Sequence, residues 1–292
     1  MRKIKELVIE KSLLTSALIT IAITIGIVLV LAIEAVQFFS EVSIIDFLTD
    51  TQWTPLFTDK HYGILPLLSG TLLTSFIAIS VALPIGLSIS IYLSEYAPKS
   101  FRKTVKPLLE LLAAVPTVVY GFFALIVVTP ILQQIIPGLS GFNSLSAGFV
   151  MGIMIIPYIS SISEDALHAV PNALREASFG MGATKLQTAF KVVVPAASSG
   201  IIVSIILAIS RAIGETMIVA IAAGQQPRLT LDPTVPVETI TAYIVQVSLG
   251  DVEHGSVEYR TIFAAGITLF VLTFLLNTLS YRIRKKYQER YE

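Results

Sequence analysis

Six stretches of this 292-residue chain are long and apolar enough to cross a bilayer, and that property decides what it can fold into. They lie at residues 13–39, roughly 65–92, roughly 105–132, roughly 145–163, roughly 196–224 and roughly 261–281. Hydrocarbon about 30 Å thick takes about 20 helical residues to cross. Backbone groups left open there cost several kcal/mol each, so such runs must be helices. The expectation is an all-α polytopic membrane protein with six transmembrane helices. Only 14% of residues are charged and 54% are hydrophobic, whereas a soluble domain is about a quarter charged.

The basic residues orient the spans. Arg2, Lys3, Lys5 and Lys11 precede the first, and Lys99, Arg102, Lys103 and Lys106 follow the second. Arg175, Lys185 and Lys191 follow the fourth, and Arg282, Arg284, Lys285, Lys286 and Arg290 follow the sixth. The alternate loops are poor in Lys and Arg, so both termini are expected in the cytoplasm. The first run is about 27 residues long, against about 7–15 for the apolar core of a signal peptide, and reads as a retained helix. The expected units are 1–64 (tail, first helix, external loop), a transmembrane body 65–282, and a basic cytoplasmic tail 283–292. Within the body, 164–195 is a cytoplasmic coupling loop and 225–260 an external loop.

Several chemistries are excluded. Without cysteine there is no disulfide, thiol catalysis or cysteine-ligated metal. His61, His168 and His254 are scattered, lack ligand spacing and read as surface residues. No metal or cofactor is expected. The net charge of +0 gives no overall field toward nucleic acid, and no nucleic-acid partner is expected. Nothing distinguishes a nucleophile and base from ordinary Ser and His, so the chain is not expected to be an enzyme.

Proline and glycine interrupt the spans: Pro84 and Gly86 in the second, Pro116 and Gly121 in the third, Pro157 in the fourth, Gly214 in the fifth. These are packing kinks or hinges around a path, since membrane helices tolerate both. The loop at 225–260, with Pro227, Pro233 and Pro236, is long for a plain connection and suggests an external cap or docking surface. The 41–63 segment is either a similar cap or, through Trp53, an interfacial anchor.

Between the fourth and fifth spans lies a polar segment. Pro171 suits a first helical position, Gly180 and Gly182 suit a left-handed stop, and Thr184 with Gln187 has capping-box spacing. Pro195 is expected to push Val194 out of helical geometry and end the second helix. The result is a helix–turn–helix knob on the cytoplasmic face.

The order Glu176-Ala177-Ser178, three residues, Gly182, nine residues, Val192-x-Val194-Pro195 resembles the "EAA" signature of ABC-importer permeases. Ser178 stands for the second Ala, and Val192 and Val194 for Ile and Leu. The resemblance implies a type I importer permease (MetI-like) fold. It also implies that Glu176, Ala177, Ser178, Gly182 and Pro195 belong to a coupling element seated in an ATP-binding subunit. The chain has no Gly-Lys pair and so no phosphate-cradling P-loop; ATP hydrolysis must come from another subunit.

The fifth run carries Arg211 near mid-membrane, where an arginine costs on the order of 3 kcal/mol to insert. Glu215, four residues on, would share its helix face and pair with it. The pair is either a structural salt bridge or a pathway element, with the guanidinium fork suited to a tetrahedral oxyanion.

The segment from Ser210-Arg211 through Gly214-Glu215-Thr216-Met217, together with Pro116-Thr117-Val118-Val119-Tyr120-Gly121-Phe122, is similar to motifs of phosphate-specific ABC permeases. The likeness covers about residues 65–282 and is closer to their PstC branch than to PstA. It implies inorganic phosphate as cargo, with Arg211, Glu215, Ser210 and Thr216 in the pathway. It further implies a PstA-like second permease, two ATP-binding subunits, an external phosphate-binding protein and a lipid environment, in a bacterial cytoplasmic (inner) membrane. Another oxyanion or small solute as cargo, and a phosphate-sensing membrane scaffold, remain as alternatives.

Overall fold

The structure is a computed structural model that describes residues 2–287, with side chains from 6 to 282. Its elements are helical; among the described residues no strand forms, only isolated bridges such as Trp53 with Tyr62.

The chain opens with α1 (Arg2–Glu41) and the short external α2 (Ile44–Thr49). Then α3 (Leu65–Ile91) is extended by a π turn, Tyr92–Tyr96, and followed by α4 (Lys99–Ala114). The helix α5 (Thr117–Phe123), a π turn at Ala124–Val128 and α6 (Thr129–Ile135) stack into one span, followed by α7 (Ser144–His168). On the cytoplasmic side come α8 (Asn172–Gly180), α9 (Lys185–Thr188), a π turn Ala189–Val193, and α10 (Val194–Ala196). The chain returns through α11 (Ser198–Ile213) and α12 (Met217–Ala222), then α13 (Ile240–Leu249) and α14 (Val257–Tyr287). Among the described residues five helices can cross a membrane alone, and the pair Lys185–Ala196 with Ser198–Ile213, bent by 72°, makes a sixth.

The helix boundaries depart from the sequence expectations in several places. The third span starts at Thr117 rather than near 105. Val115, in front of Pro116, is extended (ψ 130), as a residue before proline prefers, so Lys99–Ala114 separates as an amphipathic helix. Val194 stays helical (φ −62, ψ −47), and the chain runs on through Pro195. The preceding π turn lets Val194 N–H reach the Ala189 carbonyl, and its wider turn accommodates the proline ring that an α-helix interior would reject. The expected fifth helix, 196–224, breaks at Gly214–Thr216. The expected tail at 283–292 begins as helix as far as Tyr287; its side chains and residues 288–292 lie outside the described residues.

The centre of the bundle is the contact between α3 and α7. A Cβ on Gly148 would sit 2.7 Å from Ile77 Cβ, and one on Gly152 2.8 Å from the Ala78 carbonyl oxygen. Small residues are what bring membrane helices this close, because lipid offers no hydrophobic drive to pack them. Met151, Met154, Ile155 and Ile159 join Ala208 and Ala212 of α11 and Ile218 of α12 in the central core.

A second core closes the external end, where Phe38, Phe47, Trp53 and Tyr243 meet edge to face. Trp53 is 2% exposed. The segment at 41–63 is thus a packed cap tied to α13, and Trp53 is not an interfacial anchor. His168 and His254 lie at the surface as expected, and His61 is half-buried against Asp50.

Candidate functional site

Two regions carry the sequence motifs, and the helices place them far apart: the cytoplasmic knob and the break in the fifth span.

In the knob, Gly182 is left-handed (φ +83) as expected, but Gly180 stays helical as the last residue of α8 and Pro171 is its extended N-cap rather than its first helical residue. The Thr184–Gln187 capping box starts α9. Ser178 Oγ lies 2.9 Å from Thr188 Oγ1 and joins the two short helices. Glu176, Ala177 and Gly182 face solvent and Pro195 is exposed at the root. Phe179, Met181 and Leu186 are exposed at the tip. An apolar tip on a polar knob is a surface that calls for a partner.

The knob is fixed to the bundle by a residue the motif does not include. Arg175 donates to Glu95 at the end of the α3 π turn, Nη2 to Oε1 at 2.8 Å and Nε to Oε2 at 3.3 Å. Its guanidinium also donates to the carbonyls of Leu167 and Val170. This forked, mostly buried pair binds α8 to both α3 and α7. Motif spacing alone did not point to Glu95.

At the membrane break, Arg211 occupies the last turn of α11, about 20 Å along the helix from its cytoplasmic bend. The positive charge complements the helix C-terminus. The expected pairing with Glu215 does not form. Gly214 ends α11 with ψ near 0, so the i, i+4 geometry is lost. Glu215 instead turns to the start of α12, its Oε1 accepting from Met217 N–H at 3.1 Å and Ile218 N–H at 3.4 Å. An acid at a helix N-terminus satisfies open donors and meets the dipole's positive end.

Arg211 finds an aromatic face in place of the carboxylate. Its guanidinium carbon lies 4.4 Å from the centre of the Tyr158 ring on α7, and its Nε is buried without a hydrogen-bond partner. Among the described residues it has no acidic partner. Ser210 Oγ donates to Asn277 Oδ1 on α14 at 3.2 Å, and Thr216 Oγ1 to the Gly214 carbonyl at 3.3 Å. Thr241 Oγ1 of α13 donates to the Glu215 carbonyl at 2.7 Å. Around Arg211 and Glu215 the fold therefore gathers Tyr158, Asn277 and Thr241. Asn277, a polar residue inside an apolar run, was a legible signal; the other two looked ordinary.

The segment around Gly121 also reaches this break. A Cβ on Gly121 would lie 2.9 Å from Ile221 Cδ1 and 3.2 Å from the Met217 carbonyl oxygen, and Tyr120 donates back to the Leu112 carbonyl at 2.8 Å. On the external side Glu238 is 2% exposed, with no hydrogen-bond partner for Oε1. Burial pushes its carboxyl up to about 8.

Comparison with known proteins bears on these arrangements. The model of the family described as binding-protein-dependent transport system inner membrane component matches residues 82–290. A probable ABC transporter permease protein, YqgH, of Bacillus subtilis is 37% identical over 265 residues, 90% of this chain and 85% of that protein. The phosphate transport system permease protein PstC of Mesorhizobium japonicum is 35% identical over 253 residues, 80% of this chain and 76% of that protein. A crystal structure of a bacterial ABC transporter involved in the import of the acidic polysaccharide alginate has the same fold, with TM-score 0.64 at 18% identity over 95% of this chain and 96% of that one. With a broken fifth span and a cytoplasmic knob on a multi-pass helical bundle, this chain belongs to the binding-protein-dependent transport system inner membrane components.

Proposed function

We propose that this chain is a permease subunit that passes inorganic phosphate through an ABC importer of a bacterial inner membrane. It pairs with a PstA-like permease, rests its knob in one of two ATP-binding subunits, and receives cargo from an external phosphate-binding protein. The chain moves cargo and leaves ATP hydrolysis to those subunits. The PstC name of relatives such as that of Mesorhizobium japonicum supports the cargo.

The observation that carries the reading is the state of Arg211. An intramembrane guanidinium with an aromatic face and no carboxylate is costly, and a tetrahedral oxyanion would supply the missing partner through charge-assisted hydrogen bonds. Because Glu215 is engaged at α12, an arriving anion does not have to displace it. Ser210 and Thr216 offer hydroxyls beside the break.

Vesicles containing the complete complex test this. ATP and the binding protein should drive accumulation of radiolabelled phosphate, with little competition from excess sulfate or molybdate. Equal competition would reassign the cargo, and a complex that hydrolyses ATP without accumulating phosphate would remove the transport reading.

A further inference from the structure

The helix α4 is tied at both ends to membrane spans: the π turn closing α3 ends at Tyr96, and the next span begins at Thr117. Both junctions lie on the side rich in Lys and Arg, so α4 is confined to the cytoplasmic surface of the membrane. None of its residues is buried by the rest of the chain. Leu108, Leu111 and Leu112 are exposed, while Lys99, Arg102, Lys103 and Lys106 recur on the opposite face. This is the pattern of a helix lying in the interface with its apolar side in the acyl chains.

The basic face borders a cavity of about 520 Å³, lined by those four residues and by His168 at the end of α7, with Glu110 at its far end. Two of the cations are already engaged. Glu164, fully buried, is in contact with Arg102 and lies 2.9 Å from Lys106 Nζ, which also meets Asp165. Arg102 Nη1 is 3.1 Å from His168 Nδ1 as well. Lys99 and Lys103 have no acidic partner among the described residues. They are four apart on one helix, so their stems lie about 6 Å from each other and both ammonium groups can reach one phosphate.

We propose that this cavity is a binding site for the headgroup of an anionic phospholipid of the cytoplasmic leaflet. Lys99 and Lys103 bracket the phosphodiester, and the leucine face of α4 sits among the acyl chains. Glu164 and Asp165 engage the other two cations, so the site's attraction for an anion rests on the two free lysines, set against the one further lining carboxylate, Glu110. The lipid would hold α4 flat and so set the entry angle of the third span. The inference does not depend on which cargo the permease carries.

Photoactivatable phosphatidylglycerol and photoactivatable phosphatidylcholine, each at trace level in vesicles holding the complete complex, test the site. Phosphatidylglycerol should cross-link residues 99–114 at least about tenfold more than phosphatidylcholine, each lysine contributing about fivefold. Lys99→Gln with Lys103→Gln should abolish that preference while leaving cross-links on α14 unchanged. Equal labelling by the two lipids, or a preference that survives the double substitution, would overturn the proposal. So would an absence of lipid cross-links on 99–114, which would mean that protein covers the helix. Loss of the phosphatidylglycerol cross-link in millimolar inorganic phosphate would assign the cavity to the free ion instead.

Discussion

The guanidinium of Arg211 stacks over the ring of Tyr158, 4.4 Å from its centre, and joins α11 to α7 where the fifth span breaks. A cation over an aromatic face is stabilised by roughly 0.5–2 kcal/mol, more when water is excluded. That is too little to offset a charge in the bilayer, but enough to hold the side chain in one place.

Arg211→Gln should reduce phosphate uptake to background, while the complex still elutes at its assembled size. Tyr158→Phe keeps the ring face and should transport nearly normally; Tyr158→Leu should lose about tenfold. Radiolabelled uptake with size-exclusion chromatography separates transport loss from misassembly. Normal uptake by a well-assembled Arg211→Gln complex would take Arg211 out of the pathway.

Glu215 acts on α12 through its carboxylate oxygen. Glu215→Ala should lower stability by about 1 kcal/mol, as loss of a helix cap does, and Glu215→Gln, which keeps an acceptor, should lose less. Thermal unfolding of the detergent-solubilised complex measures this; an Ala variant as stable as wild type would show that the cap contributes nothing.

The Arg175–Glu95 fork fixes the knob to the bundle. Removing one partner of such a pair costs about 3 kcal/mol, because the other charge stays buried. Glu95→Gln should therefore retain ATP hydrolysis but drop ATP-driven uptake by an order of magnitude or more. The exchanged pair Glu95→Arg with Arg175→Glu should recover part of it. Uptake per ATP hydrolysed is the quantity to compare, and an unchanged ratio in Glu95→Gln would sever the fork from coupling.

Glu238 makes stability depend on pH. Burial raises its carboxyl to about 8 from an ordinary 4.5. Its contribution is thus fully present below about pH 4.5 and declines as pH rises to about 8, by on the order of a few kcal/mol. Melting temperatures of the wild-type complex should fall between pH 6 and pH 8.5, by roughly the amount this linkage implies. Glu238→Gln should flatten that fall, and an identical slope in the variant would clear Glu238 of the effect.

Much of the knob was readable from residue types, since the left-handed Gly182 and the Thr184–Gln187 box are local requirements that neighbours cannot override. The Arg211–Glu215 relation was not readable. Spacing of four predicts a pair only if the helix continues, and whether it continues past Gly214 depends on Glu215 finding the open donors of α12 and on Thr241 reaching its carbonyl. Pro195 misled for a similar reason: its clash is real in an α-helix, but a π turn set up by the surrounding packing absorbs it.

Run length, residue polarity and the distribution of Lys and Arg determined the membrane class, the orientation and the location of the knob, because transfer of backbone and charge into lipid is costly whatever the neighbours are. Tertiary structure alone decided who partners whom: Tyr158 for Arg211, Glu95 for Arg175, Trp53 for the external core. Those contacts join residues 53 positions apart for Arg211 with Tyr158, 80 for Arg175 with Glu95 and 190 for Trp53 with Tyr243. They are chosen by helix packing, which no local pattern encodes.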